Sequence, residues 1–146
     1  MRVSRLVAVC LAMTAAVAAV RDSRAATGQR PPSHIGVYST AQADRGAEVY
    51  RRACAACHKP DLQGDADNEV PALVDGEFLG SWERLSVGDL MTRVSRTMPG
   101  NRPGSLTRRE YLDIIAFVLR SNRFPAGPAD LPDDDATLST LSLKQE

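Results

Sequence analysis

The sequence predicts a small all-α domain of three to five helices, on three observations. Apolar residues recur at i, i+3, i+4 spacing in separate stretches, as in helices with one buried face. Two stretches open on capping sequences, Ser86 with Asp89 and Thr107 with Glu110. No run alternates apolar and polar residues as a half-buried strand does, and no segment repeats. A length of 146 residues makes one domain the default. Charged residues are 25% and hydrophobic residues 43%, which excludes collagen, coiled coil, a polytopic membrane protein and wholesale disorder. Aromatic residues are only 5%, so a flat apolar cofactor would help to fill the interior.

Residues 1–25 read as a secretory signal peptide. Met1 to Arg5 is a basic start, and Leu6 to Val20 is an apolar run. That run is short of the ~20 residues a spanning helix needs. Ser23 and Ala25 supply the small residues before a cut after Ala25. The alternative is an uncleaved membrane anchor. Cys10 lies inside the apolar run without the context of a lipid-attachment cysteine. After cleavage no membrane span remains, and the mature chain carries a formal net charge of −3. Nothing in that balance suggests nucleic-acid binding.

Residues 26–39, with paired prolines, read as a flexible lead. Thr40 can cap a helix running to about Ala53, with Ala43, Gly46, Val49, Tyr50 and Ala53 on its buried face. Residues 59–80 form a loop-rich stretch, of a length that usually wraps something functional. Ser86 opens a helix to about Thr97, ended by Met98-Pro99-Gly100. Thr107 opens the strongest helix, ending near Asn122. Arg109, Asp113, Ala116 and Arg120 form its least apolar stripe. Residues 126–146 read as an irregular acidic tail after a domain over 40–125.

Cys54-Ala55-Ala56-Cys57-His58 is C-x-x-C-H, the attachment sequence for c-type heme. Two thiols three positions apart at a helix end can reach the two vinyl groups on one side of a porphyrin, each giving a thioether. The next residue, His58, then lies against the ring face, where an imidazole nitrogen can bind iron. The competing readings explain less. A structural zinc site wants four ligands, usually in two separated pairs. A thioredoxin-like pair wants its helix after the motif rather than before it. A plain disulfide leaves His58 incidental.

One histidine leaves a sixth position on the iron, for which Met91, Met98 and His34 are candidates. Met91 sits on the apolar side of a helix, where methionine is ordinarily packing. His34 lies in the lead. Met98 follows a helix and precedes Pro99, on a loop free to approach the ring from the far side, and it is the expected ligand.

These features resemble the class I cytochrome c family over roughly residues 40–125. The family's glycine and aromatic before the heme motif correspond to Gly46 and Tyr50. Its aliphatic–aromatic pair in the last helix corresponds to Ile114 and Phe117. Its Pro-x-Leu corresponds to Pro71-Ala72-Leu73, and the resemblance implies that the Pro71 carbonyl accepts a bond from His58. It implies the small class I fold, wrapped around one covalently bound heme c and ligated by histidine and methionine. Trp82 would donate its indole N–H to a heme propionate or anchor a loop. FLGSW, SVGDL, TMP and YLDIIAFVLRSNRFPAG further resemble cytochrome c modules that accompany periplasmic quinoprotein dehydrogenases.

The resulting expectation is an exported, periplasmic electron carrier rather than an enzyme. Redox partner proteins follow, with a quinoprotein dehydrogenase or a terminal oxidase as candidates. One rival is a fixed electron-transfer subunit of a larger complex, with the lead and tail as docking arms. Another is a heme enzyme or gas sensor with an open sixth position. Charge is segregated along the chain. Residues 61–83 hold seven acidic side chains and no Lys or Arg, whereas residues 84–109 hold six arginines against Asp89 alone. Arg93, Arg96 and Arg102 are therefore expected to meet an acidic patch on the redox partner.

Overall fold

The computed structural model describes residues 36–145. The signal segment, Cys10 and His34 lie outside them. The described residues form six α-helices and no named strand. In order these are α1 (Thr40–Ala53), α2 (Ala55–His58), α3 (Asp75–Trp82), α4 (Val87–Thr97), α5 (Arg108–Ser121) and α6 (Asp135–Leu138), with one 3₁₀ turn at Ala66–Asn68. The all-α expectation holds. The count exceeds five because α2 and α6 are single turns of four residues.

The fold is organised by the crossing of α1 and α5. Gly46 makes it possible: a Cβ there would lie 1.8 Å from the Asp113 carbonyl oxygen and 2.9 Å from Phe117 Cβ. Tyr50 then packs on Phe117, ring centroids 5.2 Å apart, with Ile114 and Ile115 buried beside them. Asp113 departs from its expected place on the least apolar stripe. It is 4% exposed, because Arg45 from α1 grips its carboxylate through two hydrogen bonds of 3.0 and 3.1 Å. A pair at the crossing satisfies the charge that burial would otherwise penalise. Arg45 also reaches Asp130 at 2.7 Å.

The caps follow the sequence, with one shift. Ser39, not Thr40, caps α1, its side chain accepting from the Gln42 N–H. Ser86 and Asp89 form a full capping box on α4, as do Thr107 and Glu110 on α5. Helix α3 was not expected within its loop-rich stretch. Its N-cap, Val74, offers no side-chain oxygen. Asn122, at the end of α5, supplies the missing partner: its Oδ1 accepts from the Asp75 N–H at 2.9 Å, and its Nδ2 donates to the Leu73 carbonyl at 2.8 Å. Buried Phe78 completes the anchoring.

The segment after residue 126 is more than an irregular tail. Leu131, Leu138, Leu141 and Leu143 are buried in the same core as α1, α4 and α5. Residues 141–143 run antiparallel to 85–87, with Val87 N–H donating to Leu141 O at 2.9 Å and Leu143 N–H to Leu85 O at 3.1 Å. Gly88 lets Ser139 close in, since a Cβ there would meet Ser139 Oγ at 2.7 Å. The segment is thus a strap across the start of α4. Among the described residues, no helix is long and apolar enough to cross a membrane.

Candidate functional site

Helix α1 ends where the heme-type motif begins. Cys54 is both the C-cap of α1 and the N-cap of α2, so the chain turns there without leaving helical geometry for long. Cys54 and Cys57 occupy the same side of this turn and are free thiols. Cys54 is half-buried against the core and Cys57 is exposed. Burial pushes the Cys54 thiol up to about 11, against the lowering pull of Arg52.

His58 is buried, at 6% exposure. Its Nδ1 lies 3.1 Å from the Pro71 carbonyl oxygen. A carbonyl can only accept, so Nδ1 carries the proton and Nε2 keeps its lone pair. Nε2 has no protein partner, yet no buried side-chain nitrogen or oxygen lacks one among the described residues. Nε2 therefore opens onto accessible space instead of being sealed in the core. This is the orientation an iron ligand requires, and it fits a heme held by the flanking thiols.

The backbone around His58 is closely held. Lys59 and Leu62 both take φ of 64°, and Gly64 φ of 70°. The left-handed conformation is costly for the first two. Surrounding bonds maintain it: Gly64 N–H donates to His58 O at 3.1 Å, the Tyr50 hydroxyl to Lys59 O at 2.7 Å, and Leu73 N–H to Leu62 O at 2.8 Å. The ion pair of Lys59 with Asp65 at 2.7 Å closes the same loop. Its hydrogen bond holds the Asp65 carboxyl below its ordinary value and raises the Lys59 ammonium.

Met98 caps the C-terminus of α4 and is half-buried. Its N–H donates to Val94 O at 2.9 Å, while its carbonyl accepts from the Tyr111 hydroxyl at 2.8 Å and from Gly104 N–H at 3.2 Å. Met91 is packed in the core at 4% exposure, as expected of a packing residue. Trp82 ends α3, half-buried and stacked on Phe78 with centroids 6.1 Å apart. Thus His58 and Pro71 are joined directly and the two cysteines share their turn. Met98 and Trp82 stand on separate elements with no bond to that turn. No group of three or more His, Cys, Asp or Glu side chains among the described residues could hold a bare metal ion.

Two contributors escaped sequence reasoning. Asn122 was visible only as a helix end, although asparagine beyond a helix terminus signals side-chain bonding to nearby backbone. Tyr111 was visible only as part of a buried face, and nothing in the sequence indicates where its hydroxyl points.

A family model described as cytochrome c oxidase, cbb3-type, subunit III matches residues 41–118, over half of the chain. No curated protein and no solved structure matches it. The matched stretch runs from α1 into α5 and contains Gly46, the C-x-x-C-H turn, Pro71, Trp82 and Met98. Heme binding and electron transfer are the properties such a domain carries, and on this match and this geometry the chain belongs to the c-type cytochrome family described as cbb3-type cytochrome c oxidase subunit III.

Proposed function

We propose that the chain is a periplasmic mono-heme c-type cytochrome passing single electrons between redox partner proteins. One observation carries this reading. On a single helical turn, two free cysteines precede a buried histidine whose Nδ1 is fixed by Pro71 and whose Nε2 is open. Cys54 and Cys57 would hold one heme c covalently, His58 and Met98 would bind its iron, and the Trp82 N–H would serve a propionate. When bound, the heme supplies a one-electron couple between Fe(II) and Fe(III). The chain's own residues keep ligand geometry constant between the two states. Pro71 stops imidazole rotation. The α1–α5 crossing makes the motif's foundation rigid. Export rests on the leader-like residues 1–25.

Association with the partner falls to α4 and the loop after it. Arg93, Arg96 and Arg102 are exposed and make no ion pair among the described residues, whereas Arg108 is held by Asp133 and Asp135. Unpaired arginines suit an acidic patch on a redox partner. A second reading, a fixed electron-transfer subunit of a larger complex, is favoured by the oxidase-subunit description of the matched family.

Acidic organic extraction of the matured protein should leave its colour with the polypeptide, with a mass increase of one heme. Colour passing into the solvent would overturn the reading. Copurification of a large membrane complex at fixed stoichiometry would select the second one.

A further inference from the structure

We propose that Tyr111 is a positioning residue for the axial methionine: its hydroxyl fixes the main chain of Met98 and so keeps the thioether sulfur on the iron. The proposal rests on the reading of Met98 as a ligand. Tyr111 is buried on α5, and its hydroxyl donates to the Met98 carbonyl at 2.8 Å. The same oxygen accepts from the Leu106 N–H at 3.5 Å. Both ends of the 98–106 loop therefore converge on one atom.

The loop has few other restraints. Residues 100–105 are exposed. Their bonds are main-chain turns, Arg102 N–H to Pro99 O at 2.8 Å, Ser105 N–H to Arg102 O at 3.2 Å and Gly104 N–H to Met98 O at 3.2 Å. No side chain other than that of Tyr111 bonds the Met98 main chain among the described residues. Methionine is unbranched with three rotatable bonds and its sulfur is a weak acceptor. The sulfur can reach the iron only from where the main chain carries it, and Tyr111 supplies the one side-chain bond to that main chain among the described residues.

The phenol serves this role in a way a purely apolar residue would not. A Met98 carbonyl bonded to both Gly104 and Tyr111 is satisfied, with no tendency to turn outward to water. Removing the hydroxyl while keeping the ring leaves the packing of α5 intact and leaves that carbonyl with the longer Gly104 bond alone.

The test uses the heme-loaded full chain. Imidazole binding to the ferric protein reads how readily Met98 leaves, and the charge-transfer absorption of ferric methionine ligation reads whether it is bound. Tyr111→Phe should weaken that absorption and raise imidazole affinity about three- to tenfold, the equivalent of one hydrogen bond. Tyr38→Phe is the control. Tyr38 is equally buried and donates to the Phe124 carbonyl at 2.6 Å, so its loss should lower thermal stability and leave imidazole affinity unchanged. If Tyr111→Phe behaves like Tyr38→Phe, losing stability alone, the hydroxyl is merely structural and the proposal fails. Met98→Ala separates this from failure of the ligand reading. It should bind imidazole more tightly than either tyrosine variant, and wild-type affinity there would mean that Met98 is not on the iron at all.

Discussion

The His58 and Met98 sides of the site are built on different principles. Around His58, restraints are redundant: Pro71 holds the ring, Tyr50 the next carbonyl, Gly64 the histidine's own carbonyl, and Asn122 the far end of the loop at Leu73. Around Met98, the chain turns on its own hydrogen bonds and, among the described residues, is hydrogen-bonded by one side chain, that of Tyr111. Losing one restraint near His58 leaves several others. Losing the one near Met98 leaves a loop that can move.

The largest expected effect comes from removing the proposed ligands, His58 and Met98. His58→Ala should nearly abolish the yield of heme-loaded protein, because the motif loses its iron-binding group. Met98→Ala should keep the heme, lower the reduction potential and admit carbon monoxide to the reduced protein. Equal yields of loaded protein from the two variants would erase the asymmetry.

Leu138→Ala tests the support of α4, the helix that Met98 ends, at its start. Leu138 is fully buried in the strap over α4, and its truncation should cost about 3 kcal/mol in denaturant unfolding. Asn122→Ala, on the His58 side, should cost about 2 kcal/mol, since it orphans the Leu73 carbonyl and the Asp75 N–H together. Imidazole affinity should rise in the Leu138 variant and not in the Asn122 variant. The reverse pattern would mean that the two sides share one foundation.

A smaller effect concerns rate alone. Reversing Arg96 to glutamate should slow electron transfer to an acidic partner several-fold at low salt without altering the potential. The difference should shrink as screening falls below ~10 Å above 0.1 M salt. A rate indifferent to both would leave the arginines as solubility features.

The smallest effect is acid dependence of the caps. Hydrogen bonds from the Ser86 hydroxyl and N–H hold the Asp89 carboxyl below its ordinary 3.8. The Thr107 N–H and hydroxyl do the same for Glu110 below 4.5. A depressed carboxyl stabilises the fold above its unfolded value and loses that contribution as pH falls through the folded one. Acid titration of unfolding should therefore show stability declining below these values, and Asp89→Asn should flatten part of the decline.

What the sequence revealed tracks how local each cause is. The boxes at Ser86 and Thr107 depend on residues three apart, so they could be read directly. Gly46 and Tyr50 were legible through helical spacing, and the cysteine turn through its own chemistry. Helix α3 was not, because Gly76 and Gly80 weaken its pattern and its start is capped from Asn122, distant in sequence. The burial of Asp113 depends on Arg45, and the leucines of 131–143 have no common period. Only the assembled fold tells that they are interior. The Pro71 contact entered by resemblance, since nothing about a loop proline announces which imidazole it will face.

The strap over Leu85–Gly88 also imposes a timetable. A chain made and delivered from its N-terminus presents Cys54 to His58 well before Leu138, Leu141 and Leu143 arrive to seal the far wall. The wall over the start of α4 is therefore completed only by the last part of the chain to be made.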